Sequence, residues 1–116
     1  MERWDLEAIE TPGGSTSPVV LATADQARAV LIGLQPGQSL RDHEVKEGAW
    51  VLVASGNAKF ETDGDSVDAG PGTLVRFAPG ERRTVSSAAG ARLLLFLAPW
   101  PGEGHYRAEE QAVGGF

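Results

Sequence analysis

Two histidines, His43 and His105, are the side chains in this 116-residue chain whose ordinary pKa allows proton exchange near neutral pH. The sequence has no cysteine, which excludes a thiolate nucleophile, a thiolate zinc site and a disulfide framework. Glu44 and Glu47 follow His43 closely, so a first-row metal site would have to recruit His43, His105 and one of these acids. The other acid pairs carry less: Asp63 and Asp65 mark a turn, Glu109 and Glu110 a solvated tail, and neither spacing supplies the remaining ligands of a calcium loop. No phosphate-binding loop, dinucleotide fingerprint or serine nucleophile elbow occurs.

Ten basic against sixteen acidic residues give a formal net charge of −6 and a pI near 4.8. Such a surface repels phosphate backbones, so no nucleic-acid partner is expected. The first five residues, Met1-Glu2-Arg3-Trp4-Asp5, lack the basic and apolar regions of a signal peptide, and no segment approaches the roughly 20 apolar residues that span a bilayer. The expectation is a cytoplasmic protein with no membrane partner. The length suits one domain that buries roughly two thirds of its unfolded surface.

Any chemistry must be positioned by short strands, because fifteen glycines and seven prolines spread along the chain predict frequent turns. Residues 4–18 hold isolated apolar side chains (Trp4, Leu6, Ile9) and then a run rich in Gly, Ser, Thr and Pro: an arm followed by a loop. Residues 19–22 and 27–34 predict two strands ended by Pro36-Gly37, although the alanines of 22–32 suit a helix by propensity alone. From His43 a period of two puts Val45, Ala49, Val51 and Val53 on one face and Trp50, Leu52 and Ala54 on the other. Both faces are apolar, so this strand is expected to be covered twice.

Ser55-Gly56-Asn57 predicts a hairpin into 58–62, and Asp63-Gly64-Asp65 a second into 66–68. Further strands are expected at 73–77, at 83–86 after the Ala78-Pro79-Gly80 break, and at 91–98. Six consecutive apolar residues from Leu93 require the last strand to be central or covered. About eight short strands describe an all-β closed barrel or jelly roll. The expected organisation is an arm and loop over 1–18, a barrel over 19–99 and a tail over 100–116.

The stretch from Gly37 through His43 to Ala49, followed by six residues and Gly56, resembles the first cupin motif, G-x5-H-x-H-x3-E-x6-G. Gly72, Ala78, Gly80, Arg83 and Ser87 fit the spacing of the second, G-x5-P-x-G-x2-H-x3-N, with Pro79 one place later than the usual proline. The chain is thus similar to small single-domain cupins over about residues 28–98, and the resemblance implies a cupin-type jelly-roll β-barrel. In metal-binding cupins the motif residues His, His, Glu and His hold one iron, manganese, nickel or zinc ion inside the barrel. The matching positions here are His43, Val45, Ala49 and Arg83. Valine and alanine have no donor atom, and a guanidinium stays protonated and repels a cation. The resemblance therefore implies a barrel that works without the family's metal, and no other cofactor is indicated.

A barrel interior lined by valine and alanine holds a permanent cation only beside an anion or a satisfied hydrogen-bond network. For Arg83 that anion is either a ligand carboxylate or an internal partner among Glu47, Glu81 and Glu44; a side chain snorkelling to solvent is the third option. Arg76 and Arg82 are expected on the outer face. The expected function is metal-independent binding of a small, mostly apolar organic acid, in a pocket lined by Val45, Ala49, Val51, Val53 and Val85 with His43 and Arg83 as its polar groups. A rival is a cofactor-free isomerase, cyclase or lyase with His43 as acid or base and Arg83 stabilising an oxyanion or enolate. A third reading is an atypical metalloenzyme built on His43 and His105. Trp50, Trp100, Phe77, Phe96 and Tyr106 are expected in the core rather than in a ligand cage. A homodimer is expected, because the Trp50/Leu52 face and the 93–97 strand carry more apolar surface than one small barrel covers, with the arm reaching the neighbour.

Overall fold

The computed structural model describes residues 1–13, 16–43 and 46–101, with the backbone alone for 41–43. These residues form β1 (Val19–Ala24), β2 (Ala27–Leu34), β3 (Ser39–His43), β4 (Gly48–Gly56), β5 (Ala58–Thr62), β6 (Asp65–Ala69), β7 (Leu74–Phe77), β8 (Arg83–Ser86) and β9 (Ala91–Ala98). One sheet has the order β1-β2-β9-β4-β7 and the other β3-β8-β5-β6, and every pairing is antiparallel. The two sheets close over one core as a jelly roll. Among the described residues no helix is long and apolar enough to cross a membrane.

The alanine-rich segment is strand, not helix, for a tertiary reason. Asp25 and Gln26 take φ of 53° and 60°, the left-handed pair that a two-residue hairpin connection requires. The hairpin lays β2 against β9, where Val30, Ile32 and Leu34 are buried at 1%, 0% and 4% exposure. At about 1.5–3 kcal/mol for each large apolar side chain fully buried, that packing overrides differences in helix propensity of a few tenths per residue. β9 lies between β2 and β4, so the run from Leu93 is central as its composition demands. Its inward residues Leu93, Leu95 and Leu97 are buried with Val51, Val53, Phe60 and Phe77.

The hairpin expected at Ser55-Gly56-Asn57 is not formed. β4 pairs with β9 and β7, whereas β5 pairs with β6 and β8, so the chain changes sheets at this point. Gly56 makes the crossing with φ of 75°, and a Cβ there would collide with the carbonyl oxygen of Gly90. A turn-rich tripeptide signals reversal but does not choose the sheet that receives the next strand. The hairpin at Asp63-Gly64 is present, with Thr62 opposite Asp65. β3 is an additional strand that alternation from His43 onward did not separate from β4.

β4 is fully covered on one face and only partly on the other, where Leu52 and Ala54 are half-buried. Ala49, Val51 and Val53 point into the core, while Trp50 on the opposite face is 43% exposed beside its register partner Phe96, also 43% exposed. Trp100 and Phe77 lie in the core as expected, and Tyr106 falls outside the described residues. The N-terminal arm packs on its own chain: Arg92 Nη1 donates to the carbonyl oxygens of Leu6 and Ile9 at 2.8 and 2.7 Å, and Thr11 sits against Gly33. Leu31, two residues before Gly33 on the same outward parity, is 0% exposed.

Candidate functional site

Arg83 opens β8 with inward parity, two residues before Val85, and is 3% exposed. Its guanidinium carbon lies 4.7 Å from the centroid of the Phe77 ring, and its Nη1 is buried without a hydrogen-bond partner among the described residues. Phe77 ends β7, and the connection 78–82 returns the chain to β8. That turn is closed twice, by Glu81 N donating to Ala78 O at 3.1 Å and Ala78 N donating to Glu81 Oε1 at 2.9 Å. Burial pushes the Arg83 pKa down to about 10, against which the negative charge of Glu81 holds it up. The group stays a cation at neutral pH, and of Glu47 and Glu81, the described partners considered, Glu81 is the one whose field reaches it.

The two strands beside Arg83 diverge. The β5–β8 ladder runs through Lys59–Ser86 and Phe60–Val85 and stops at Glu61–Thr84. Beyond that point Thr62 pairs with Asp65 on β6, and Arg83 pairs with His43 on β3. The fork leaves a cavity of about 420 Å³ walled by Glu61, Thr62, Asp63, Arg82, Arg83 and Thr84. Arg82 is exposed, as its outward parity predicts, yet it borders the same cavity.

The remaining expected site residues separate into three groups. Ala49, Val51, Val53 and Val85 face inward at 0%, 2%, 0% and 3% exposure and are packed into the core; they are not among the walls of the cavity that Arg83 lines. His43 ends β3 as the register partner of Arg83, but its side chain, together with Val45, Glu44 and His105, lies outside the described residues. Glu47, two residues before Ala49, is a carboxyl group at 0% exposure; counting the inward alternation of β4 back from Ala49 is the signal that marks it. Glu61, Thr62, Asp63 and Thr84 were not legible as site residues, because only the fork between two strands brings them to Arg83.

Neither a protein-family model nor a curated protein sequence matches the chain. Solved structures do. An RmlC-like cupin protein from Desulfovibrio desulfuricans is similar with a TM-score of 0.74 and 19% identity, over 85% of this chain and 96% of that one. A cupin superfamily protein from Desulfitobacterium hafniense is similar with a TM-score of 0.71 and 17% identity, over 79% and 84% of the two chains. The chain has the cupin fold. A protein of unknown function from Rhizobium leguminosarum is similar at 25% identity and a TM-score of 0.73, over 85% of this chain and 97% of that one.

Cupins that hold a metal place it among the four motif positions, of which Ala49 and Arg83 are described here. One offers a methyl group, and the other puts a protonated guanidinium into the interior. These two residues do not fit a metal centre, since one gives no lone pair and the other repels the cation. Among the described residues no group of three His, Cys, Asp or Glu is placed to hold a metal ion.

Proposed function

We propose that this cupin binds a small organic acid without a metal, with Arg83 as the anion's partner. The observation that carries the reading is the buried Nη1 of Arg83, which has no hydrogen-bond partner among the described residues while Arg83 lines a cavity of about 420 Å³. A buried donor left unmade costs about 1–3 kcal/mol, more when charged, and a carboxylate entering the cavity removes that cost. A fixed guanidinium also recognises a carboxylate through paired N–H donors in a way that no aliphatic wall can. Thermal melts of wild type and Arg83→Met with a panel of small acids test it: the acids stabilise wild type and leave the variant unmoved.

A second reading has one observation in its favour. His43 stands directly opposite Arg83 in the β3–β8 pair, which brings an imidazole-bearing residue to the strand beside the anion's partner. A proton-transfer reaction on the bound acid, with His43 as acid or base and Arg83 stabilising the oxyanion, extends the binding reading to catalysis. Turnover lost in His43→Asn with binding retained distinguishes it from binding alone.

For assembly, the proposal is a homodimer through the outer face of the five-stranded sheet. Trp50 and Phe96 are paired across β4 and β9 at 43% exposure each, and Leu74 on β7 is 55% exposed next to Leu52. Contiguous apolar surface of this kind is uncommon on a monomer.

A further inference from the structure

The walls of the Arg83 cavity specify more about the ligand than that it is an acid. Glu61 and Asp63 border it with Arg82 and Arg83, so the formal charges of its described walls balance, and Thr62 and Thr84 add hydroxyls. Among the described residues no apolar side chain is one of its walls. A purely hydrocarbon acid seated there satisfies the guanidinium but strips water from two carboxylates and gives them no donor in return, which costs binding energy. A ligand with proton donors on its carbon chain meets both halves of the wall at once. Resting on the reading that Arg83 takes the anion, we infer that the ligand is a polar carboxylic acid carrying hydroxyl or ammonium donors, held between Arg83 and the Glu61/Asp63 side of the β5–β8 fork.

The fork explains why a polar ligand can reach a buried cation. Continuation of the ladder by one pair would put Thr62 opposite Arg83 and close the opening; instead each bonds to the strand on its far side. Asp63 is exposed at the turn into β6, and Gly64 beside it carries the left-handed φ of 80°. The position that needs glycine is therefore not the position that contacts the ligand, and Asp63 accepts substitution without strain in the turn.

Three six-carbon acids separate the possibilities: gluconate, with hydroxyl donors; 6-aminohexanoate, with an ammonium; and hexanoate, with neither. Calorimetric titration of the full chain is expected to show gluconate or 6-aminohexanoate binding at least about tenfold more tightly than hexanoate, since a site built to bond such groups rejects analogues lacking them. Asp63→Asn should narrow that margin, more for the ammonium than for the hydroxyls because it removes a charge and keeps an acceptor. Hexanoate binding as tightly as the other two, or a margin untouched in Asp63→Asn, overturns the inference while the acid-binding reading stands. Binding of none of the three, with no shift on Arg83→Met, removes the acid-binding reading itself and this inference with it.

Discussion

The guanidinium carbon of Arg83 stands 4.7 Å from the centroid of the Phe77 ring, so a permanent cation rests on an aromatic face at the edge of a core that is mostly aliphatic. The contact recovers part of the hydration the cation gives up, by about 0.5–2 kcal/mol or more where it is desolvated. It does not supply hydrogen bonds. An aromatic face on one side and an unmade N–H on another leave the group half satisfied, which is the physical basis for expecting an anion from outside.

In the empty barrel Arg83 is a cost rather than a support. A buried ion without a full counter-ion carries a desolvation penalty on the order of several kcal/mol, which an apolar side chain of similar shape does not. Arg83→Met, which keeps the stem, is therefore expected to raise the melting temperature of the apo protein and to abolish stabilisation by acids. A melting temperature that falls, with no acid shifting wild type, assigns Arg83 to a scaffold ion pair with Glu81 instead.

The pH dependence of that difference has a defined sign. Burial lowers the folded-state pKa of Arg83 from the ordinary guanidinium value to about 10, so folding favours its neutral form. The destabilisation is fully present below about pH 10 and is relieved as pH rises from there towards the unfolded value. The gap in melting temperature between Arg83→Met and wild type should stay constant from pH 6 to roughly 9 and shrink above about 10. A gap that widens in alkali contradicts the assignment.

Metal content follows from Ala49 and Arg83 at two of the four family positions. The purified protein is expected to carry less than about one tenth equivalent of any transition metal, since a lone histidine is a poor site anywhere in the affinity order. Elemental analysis after dialysis decides it. Near-stoichiometric metal that disappears in His43→Ala refutes the metal-free reading.

The outer face of the five-stranded sheet should mediate a dimer that dissociates on Trp50→Glu combined with Phe96→Glu. Both side chains are 43% exposed in the single chain, so charge at these positions burdens an interface without entering the core. Light scattering is expected to give a dimer mass for wild type and a monomer for the double variant, with the circular dichroism unchanged. A wild-type monomer at micromolar concentration defeats the proposal.

Much of this architecture was legible because the core residues of each strand advertise themselves by alternation. β2, β8 and β9 occupy the expected spans, and Arg83 is inside for the reason its neighbour Val85 is. The sheet change at Gly56 was not legible, since the partner it must clear, Gly90, is far away in sequence. The site was harder still. Asp63 reads locally as a turn acid, and its place beside Arg83 depends on a ladder stopping one pair early. Where strands stop pairing is a balance among non-local bonds that no window of sequence contains.

The arm provides the last test, because one side chain of the barrel gathers two of its carbonyls. Arg92 Nη1 donates to Leu6 O and Ile9 O at 2.8 and 2.7 Å, gathering two carbonyls at the end of a short turn whose Ala8 N–H bonds to Asp5 O at 3.0 Å. Hydrogen bonds from a charged donor contribute about 1.5–3 kcal/mol each when buried, and less here because Arg92 is only half-buried. Arg92→Ala should release the arm and lower the melting temperature by several degrees, on the order of 1–2 kcal/mol for a domain of this size. Hydrogen exchange then separates a local from a global effect: amides of residues 5–11 lose protection while those of β4 and β9 keep it. Unchanged exchange across 5–11 in Arg92→Ala means that the arm is held by other contacts, in this chain or in a second copy.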